Sequence, residues 1–374
     1  MRSPDPIPAV PAAATGDGRV GVGCDVQGLE WDRYVRAHPA ATRYHQWVWK
    51  RVFERAFGHE TIYLVARRPS PEARRDGPSG PPDQPAQIVG VLPLVSFKSL
   101  LFGRFLVSLP FVNYGGILAD DEAAATALLE RARQEAASRR ASHVELRHTR
   151  RMFPGLPAKQ HKVAMTMPLP ADEESAWKGF DNKLRNQIRK AQKSNLEPLV
   201  GGAEFLDDFY SVFARNMRDL GTPVYSKRLF VEVLAGVPEA RAFSIRLNGA
   251  AVAAAITIGY RDAVENPWAS SLREHRSLNP NMLLYWTMIR DAIVRKYRLF
   301  DFGRSTPGEG TYQFKKQWGA IDEPFFWEYV LSGSASPPDR SPASPKFRAA
   351  VAVWQRLPLA LTKALGPAIV RNIP

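Results

Sequence analysis

The 374-residue sequence predicts a mixed α/β protein (an α+β arrangement with mixed sheets) folded as two lobes. Three observations lead there. The length is about twice that of a common single domain. Strand-like and helix-like segments alternate in both halves, as expected where helices cover sheets. Prolines gather at the joints, with 14 of the 31 in residues 1–20, 69–85 and 337–345, where Ser, Gly and Asp accompany them. Such stretches cannot repay the entropy of ordering. The predicted organisation is a disordered tail over residues 1–23, a first lobe over 24–160, a second over 161–331, a linker over 332–345 and a basic amphipathic helix over 346–374.

In chain order, the β-rich runs Thr61–Ala66 and Gln87–Val95 flank the proline-rich loop 69–85 and read as a long hairpin with that loop as its tip. A glycine turn, Asn113-Tyr114-Gly115-Gly116, precedes an Ala-rich helix around Asp121–Arg140. Strands follow around His143–Arg147 and Val163–Leu169. The second half gives one helix, around Asp181–Ser194, between Leu169 and Leu199. Helices are then expected around Ala203–Asp219 and Lys227–Ala235, followed by a hairpin turning at Asn248-Gly249. A helix Asn281–Lys296, a short strand Phe300–Phe302 and a closing strand Phe325–Leu331 complete the body.

Composition removes several function classes. A single cysteine, Cys24, supports neither an internal disulfide nor a multi-thiolate metal site, and points to a reducing compartment. The longest charge-free run, Phe105–Ala119, is 15 residues, short of the roughly 20 that a spanning helix needs. No transmembrane helix is expected. The N-terminus lacks the unbroken apolar stretch of a secretory signal, so a cytoplasmic location is expected. Gly16-Asp-Gly18-Arg-Val-Gly21 satisfies a dinucleotide pattern but follows a Pro/Ala tail instead of a strand. There is no P-loop, no G-x-S-x-G and no H-E-x-x-H, and no metal ligand set is expected. His143 and His148, flanking a strand, read as surface or loop residues.

What is left is a chemistry of positioning, in which cations hold an anionic ligand. In Phe180–Lys193, Phe180, Leu184, Ile188 and Ala191 fall within roughly 80° of a helical wheel while Arg185, Arg189 and Lys193 lie opposite. The helix buries a narrow stripe and shows a cationic ridge. In Phe300–Gly319, an apolar strand enters a Gly-rich loop and then a helix, an arrangement whose free N–H groups suit a phosphate or carboxylate. Asp301, Arg304, Ser305, Tyr312, Lys315 and Lys316 converge around that turn. Trp268, Trp286 and Trp318 read as core.

These segments carry a resemblance. Lys183-x-Arg185-x-x-Ile-Arg189-Lys190-Ala-x-Lys193, Met217-Arg218-Asp219-Leu220-Gly221-Thr222-Pro223, Asn281-Met-Leu-Leu-Tyr285-Trp286, Phe300-Asp301-Phe302-Gly303-Arg304-Ser305 and Phe314-Lys315-Lys316-Gln317-Trp318-Gly319-Ala320 occur in this order. Together they resemble the FemAB-related proteins of the GNAT acyltransferase superfamily, in the branch associated with the PEP-CTERM/exosortase system of exopolysaccharide producers. Asn113-Tyr114-Gly115-Gly116 fits the same pattern, and the likeness covers roughly residues 25–331. It implies two tandem GNAT-like lobes and transfer of an acyl or aminoacyl group from acyl-CoA or aminoacyl-tRNA to an amine of a cell-envelope, peptidoglycan-like or exopolysaccharide precursor. No permanently bound cofactor is implied. The chain departs from the FemA and FemB type in lacking a long antiparallel helical pair, which weighs against tRNA and leaves a CoA donor.

On that reading Asp301 orients or deprotonates the amine, and Tyr114 and Tyr285 donate to the developing oxyanion or else belong to the core. Arg304, Ser305, Tyr312, Lys315 and Lys316 hold the anionic donor or precursor, with Asn113, Arg185, Arg189 and Lys190 completing the walls. The segment 340–374 has six bases and no acid. Its apolar residues recur at helical spacing, so it either lies on the inner face of an anionic membrane or folds back on the body. The competing class is a non-enzymatic RNA binder, favoured by the net charge of +14. That charge is local: residues 131–162, 178–193, 290–316 and 340–374 carry +7, +5, +4 and +6, so the remainder is −8.

Overall fold

The computed structural model of the protein describes residues 20–69, 86–99, 102–160, 162–333, 337 and 345–373. The expected tail over residues 1–19, the hairpin tip over 70–85 and most of the linker lie outside the described residues. In chain order the elements are β1 (Gly21–Gly23), α1 (Gly28–Ala37), α2 (Val48–Phe57), β2 (Glu60–Arg68), β3 (Gln87–Ser99), β4 (Gly103–Val107), β5 (Leu118–Ala119), α3 (Glu122–Ser138), β6 (His143–His148) and β7 (Ala158–Lys159). The chain continues with β8 (Val163–Pro168), α4 (Glu173–Gly179), α5 (Asn182–Gln192), β9 (Leu196–Gly201), α6 (Leu206–Leu220), α7 (Lys227–Gly236), β10 (Ala240–Leu247), β11 (Ala250–Tyr260) and β12 (Ala263–Ser271). Last come α8 (Pro280–Val294), β13 (Leu299–Ser305), α9 (Gly310–Lys316), β14 (Ile321–Pro324), β15 (Phe326–Leu331), α10 (Pro345–Arg356) and α11 (Leu359–Val370).

Local chemistry sets many of these boundaries. Asp121 and Asp181 accept the N–H groups of Ala124 and Leu184 at the starts of α3 and α5, satisfying donors that a helix leaves open. Gly221 ends α6 with φ 76°, the left-handed geometry that glycine adopts without strain. Asn248 and Gly249 both take positive φ, which the tight hairpin between β10 and β11 requires.

Two mixed sheets result. The first runs β1-β2-β3-β4-β6-β15-β7 with β5 beside β3, and the second runs β14-β8-β13-β12-β11-β10-β9. Among the described residues each sheet has one parallel pair, β4 with β6 and β12 with β13. On one face of the second sheet, Leu184 and Ile188 of α5, Trp286 of α8 and Trp318 after α9 pack against Met165 and Phe300. On the other, Phe209, Phe213, Phe230 and Trp268 join Tyr44, Trp49, Phe53 and Phe111 of the first lobe in one core. Each such fully buried aromatic contributes about 1.5–3 kcal/mol, so the lobes are fused.

Several expectations need correcting. Residues 21–23, assigned to the tail, pair with β2. The closing strand, assigned to the second lobe, pairs antiparallel with β6 in the first sheet, because its apolar face completes that lobe's layer. Two helices, α4 and α5, separate β8 from β9 where one was expected; Asp172 caps a new start and the chain is extended at Phe180. His143 and His148 are 5% and 4% exposed, since β6 lies inside the sheet with β4 and β15 on either side. The C-terminal segment forms two helices separated at Pro358. Val351 lies against Gly221, Gly366 against Val224, and Gln355 donates to the Asp219 carbonyl. The segment therefore folds back on α6.

Candidate active site

A parallel pair that separates along its length leaves backbone groups and space between the strands. In the first lobe that space is filled. β4 and β6 pair at Leu106 with Val144 and Val107 with Glu145, and beyond them Ser108 Oγ accepts the Arg147 N–H at 2.8 Å. The Arg147 guanidinium, 1% exposed, bonds Glu145 at 2.7 Å and the carbonyls of Leu109 and Val112 at 3.3 and 2.9 Å. Three histidines tie down the segment that follows. His45 Nδ1 accepts the Thr42 N–H, so its Nε2–H donates to the Gly116 carbonyl. His148 Nε2 accepts the Ile117 N–H, so its Nδ1–H donates to Glu328. His38 Nε2 meets the Ala119 carbonyl. Burial lowers the pKa of His45 to about 4, keeping the ring neutral. The cavity that remains is about 40 Å³.

In the second lobe the space is open. β12 and β13 pair through Ala263, Val264 and Glu265 opposite Leu299, Phe300 and Asp301, and then part. A cavity of about 450 Å³ lies beyond the last pair. Phe302, Gly303, Arg304, Thr311, Lys315 and Tyr285 line one side, Asn266 to Ser270 another, Phe213, Asn216 and Met217 of α6 a third, and Phe111 to Asn113 of the first lobe close it. Among the described residues no carboxylate lines it. Lys315 Nζ donates to the carbonyls of Gly303 and Arg304 at 3.2 and 2.9 Å. An ammonium has three donors, so one remains for a ligand. Burial lowers its pKa to about 8, with Asp301 and Glu265 pulling it back up. Part of Arg304 reaches solvent, yet dense packing around its guanidinium and the nearby Arg147 lower its pKa.

Where the strands part, a buried polar cluster joins the lobes. Asp301 accepts the Tyr114 hydroxyl at 2.6 Å on one oxygen and the Gly303 N–H at 2.8 Å on the other. Glu265, with no exposed surface, accepts from Arg43 and Asn113 of the first lobe, and Arg43 also stands 3.6 Å from Asp301. Burial pushes the Glu265 carboxyl up; Arg43 opposes this and Asp301 adds to it. Burial also raises the Tyr114 phenol, helped by Asp301, so the phenol stays protonated. A second cavity of about 260 Å³ lies on the other side, lined by Asp301, Tyr114, Asp262 and Glu323.

Thus Asn113, Tyr114, Asp301, Arg304 and Lys315 come together, and Tyr285 lines the large cavity with its ring 5.7 Å from Phe302. Ser305 is buried, its Oγ without a hydrogen-bond partner among the described residues. Other expected residues are elsewhere. Lys316, placed with Lys315 by helical spacing, bonds Asp322 on the surface beside Tyr312. Arg185 bonds Asn182, Arg189 bonds Asn186 and lies over Trp177, Lys190 is exposed, and none of the three lines either cavity. Their face of α5 points away because the opposite stripe is buried. Sequence reasoning missed Arg43 and Glu265. The available signal was a lone acid among the strand-like residues Val264–Trp268 and a lone base beside Tyr44, both costly to bury unless paired.

The fold and this opening between parallel strands define a class, a mixed α/β protein of two GNAT-like lobes in tandem. Residues 178–316 match the family model described as acetyltransferase (GNAT) domain, which spans the open cavity's principal walls. The crystal structure of FemX superposes with a TM-score of 0.59 at 14% identity, covering 82% of this chain and 97% of that one. The C-terminal domain of a putative lysylphosphatidylglycerol synthetase from Agrobacterium fabrum gives 0.53 at 11%, covering 87% and 94%. A conserved protein of unknown function from Bacteroides thetaiotaomicron gives 0.51 at 8%, covering 82% and 98%. No curated protein matches the chain.

Proposed function

We propose that the chain is an N-acyltransferase that moves an acyl group from acyl-CoA to an amine, with the open cavity of the second lobe as its donor site. The observation that carries this is the opening between β12 and β13, where, among the described residues, two cationic side chains and no carboxylate line an aromatic cleft of about 450 Å³. Anionic, partly apolar donors suit such a surface. Transfer needs a polarised carbonyl and a nucleophile held in reach, and no covalent enzyme intermediate. The free Lys315 N–H and the Tyr285 hydroxyl donate to the carbonyl oxygen. The amine nitrogen attacks, the carbon–sulfur bond breaks, and the amine's proton passes to the leaving thiolate. Asp301, already holding Tyr114, orients the amine through that hydroxyl; Arg304 holds the donor's anionic part.

The five ordered motifs support the finer placement in the PEP-CTERM/exosortase-associated branch, and with it an envelope or exopolysaccharide precursor as acceptor. The α5 cations face away from the cleft, which favours CoA over aminoacyl-tRNA and a small anion over RNA. Among the described residues no helix is long and apolar enough to cross a membrane. The exposed row Leu361, Leu365 and Ile369 on α11, in a segment without acids, supports contact with the inner membrane face; deleting residues 345–374 would then abolish co-sedimentation with anionic vesicles.

The test is calorimetric titration with acetyl-CoA and transfer to a panel of amine acceptors read by mass spectrometry. Arg304→Ala is expected to weaken donor binding about tenfold or more, as for a lost charge-assisted bond. Lys315→Ala is expected to lower kcat about 100-fold, the scale of one oxyanion donor. If both variants bind and turn over donor like the wild type, the cleft is not the site.

A further inference from the structure

Arg304 lines the cleft, and Lys162, just before the neighbouring strand β8, lies near enough to feel its charge. Ser305 pairs with Val163 and Arg304 with Ala164 in the antiparallel β13–β8 register. Alternate residues share a face, so Arg304 and Thr306 lie on the side of Lys162, and Lys162 Nζ donates to Thr306 Oγ1. That hydroxyl accepts from Lys162 and keeps its own O–H to donate elsewhere. The Arg304 guanidinium lies 5.8 Å from the Trp327 ring of the first sheet, and Arg147 lies 4.3 Å from the same ring.

The charges do not balance here. Arg147 is matched by Glu145, whereas among the described residues neither Arg304 nor Lys162 lies within ion-pair distance of a carboxylate. The exposed Glu309 acts on Lys162 only through its charge, while burial and Arg304 lower the lysine's pKa. Two neighbouring cations held in place by a ring and a hydroxyl, at the junction of both lobes, form a place for a multiply charged anion.

We infer that Lys162, Arg304 and Thr306 form a phosphoryl-binding subsite at the inter-lobe rim of the cleft, taking a diphosphate group of one of the substrates. Arg304 presents its planar fork, Lys162 a point charge and Thr306 a hydroxyl, so three donors of different geometry converge on phosphate oxygens. The acyl-transfer proposal enters only in naming the ligand's source, since CoA and a nucleotide-activated or lipid-linked acceptor both carry a diphosphate. Lys162 rather than Lys316 is then the partner of Arg304.

The probe is inorganic pyrophosphate, titrated calorimetrically into the full-length protein at low and moderate salt. The wild type is expected to bind in a salt-dependent way. Lys162→Met should raise Kd about tenfold, the scale of one lost charge-assisted hydrogen bond. Lys162→Arg should stay close to wild type, and Thr306→Val should give a smaller loss. Thermal unfolding of each variant separates lost binding from lost fold, because Lys162 is only half-buried. Absence of pyrophosphate binding in the millimolar range, or a Kd unchanged in folded Lys162→Met, would overturn the subsite. Competition with acetyl-CoA assigns the diphosphate to the donor, and simultaneous binding assigns it to the acceptor; either result supports the subsite. If pyrophosphate binds as expected but no acyl-CoA is turned over, the subsite stands and acyl transfer falls. If transfer proceeds and Lys162→Met binds pyrophosphate normally, the subsite falls alone.

Discussion

The first lobe fills its parallel-strand opening with its own side chains and the second leaves it open. At corresponding places, an arginine leaves the strand edge in each lobe. Arg147 turns inward to Glu145 and two loop carbonyls, and Arg304 turns toward the cleft and the Trp327 ring. Glycines show the same division. A Cβ at Gly116 would stand 2.0 Å from His148 Cδ2, whereas one at Gly303 would meet nothing closer than the Asn266 oxygen at 3.3 Å. The lesson is that a mixed sheet with a parting parallel pair is not by itself a site. The plug decides whether a cavity of 40 or 450 Å³ remains.

Removing the plug should have the largest effect. Arg147→Met takes the cation from a buried carboxylate and the donors from two carbonyls, and is expected to cost about 3–5 kcal/mol in urea unfolding. Arg304→Met, at a partly exposed cation with no acid partner among the described residues, is expected to cost less than about 1 kcal/mol. Equal losses would erase the distinction between the lobes.

The glycine pair gives an intermediate contrast. Gly116→Ala must displace His148 from its bonds to Ile117 and Glu328, an overpacking expected to cost about 1–3 kcal/mol. Gly303→Ala meets the Asn266 carbonyl oxygen at a tight 3.3 Å and keeps φ near 72°, so about 1 kcal/mol of backbone strain is expected. A denaturant series on the two variants would reverse the picture if Gly303→Ala were the more damaging.

The last contrast is in pH. Lys315 titrates at about 8 in the folded protein against an ordinary 10.5. Between those values the unfolded chain holds a proton that the folded one has released, so stability rises with pH in that window. His45 titrates at about 4 against 6.5, so stability falls as pH drops from 6.5 toward 4, where only the unfolded ring gains a proton. Stability profiles of Lys315→Met and His45→Gln should each lose one of these slopes. A variant that retains the wild-type slope in its own window would show that its group is not the one titrating there.

Much of the outline was legible before any fold was known. The helix starts at Asp121 and Asp181, the Asn248-Gly249 turn and the strand of Phe300–Phe302 follow from local signals that a few residues carry. The convergence of Asp301, Arg304 and Lys315 was legible for the same reason, since one strand, one loop and one helical turn hold all three. Lys316 was misplaced because helical spacing sets a face without saying what Asp322 offers to it. His148 was misread because burial of β6 depends on β15, more than 170 residues away in the chain.

By itself, then, the sequence determined the helix starts at Asp121 and Asp181 and the turn at Asn248-Gly249, which helix stripes are apolar, and that its excess base sits in four segments, because these depend on residues within a turn or two of one another. The tertiary structure alone decided which parallel pair stays open, that Arg43 crosses between lobes to Glu265 and Asp301, and that Lys162 bonds Thr306 beside Arg304. Those are contacts between residues far apart in the chain. Their energies come from burial and charge pairing, which no local pattern encodes.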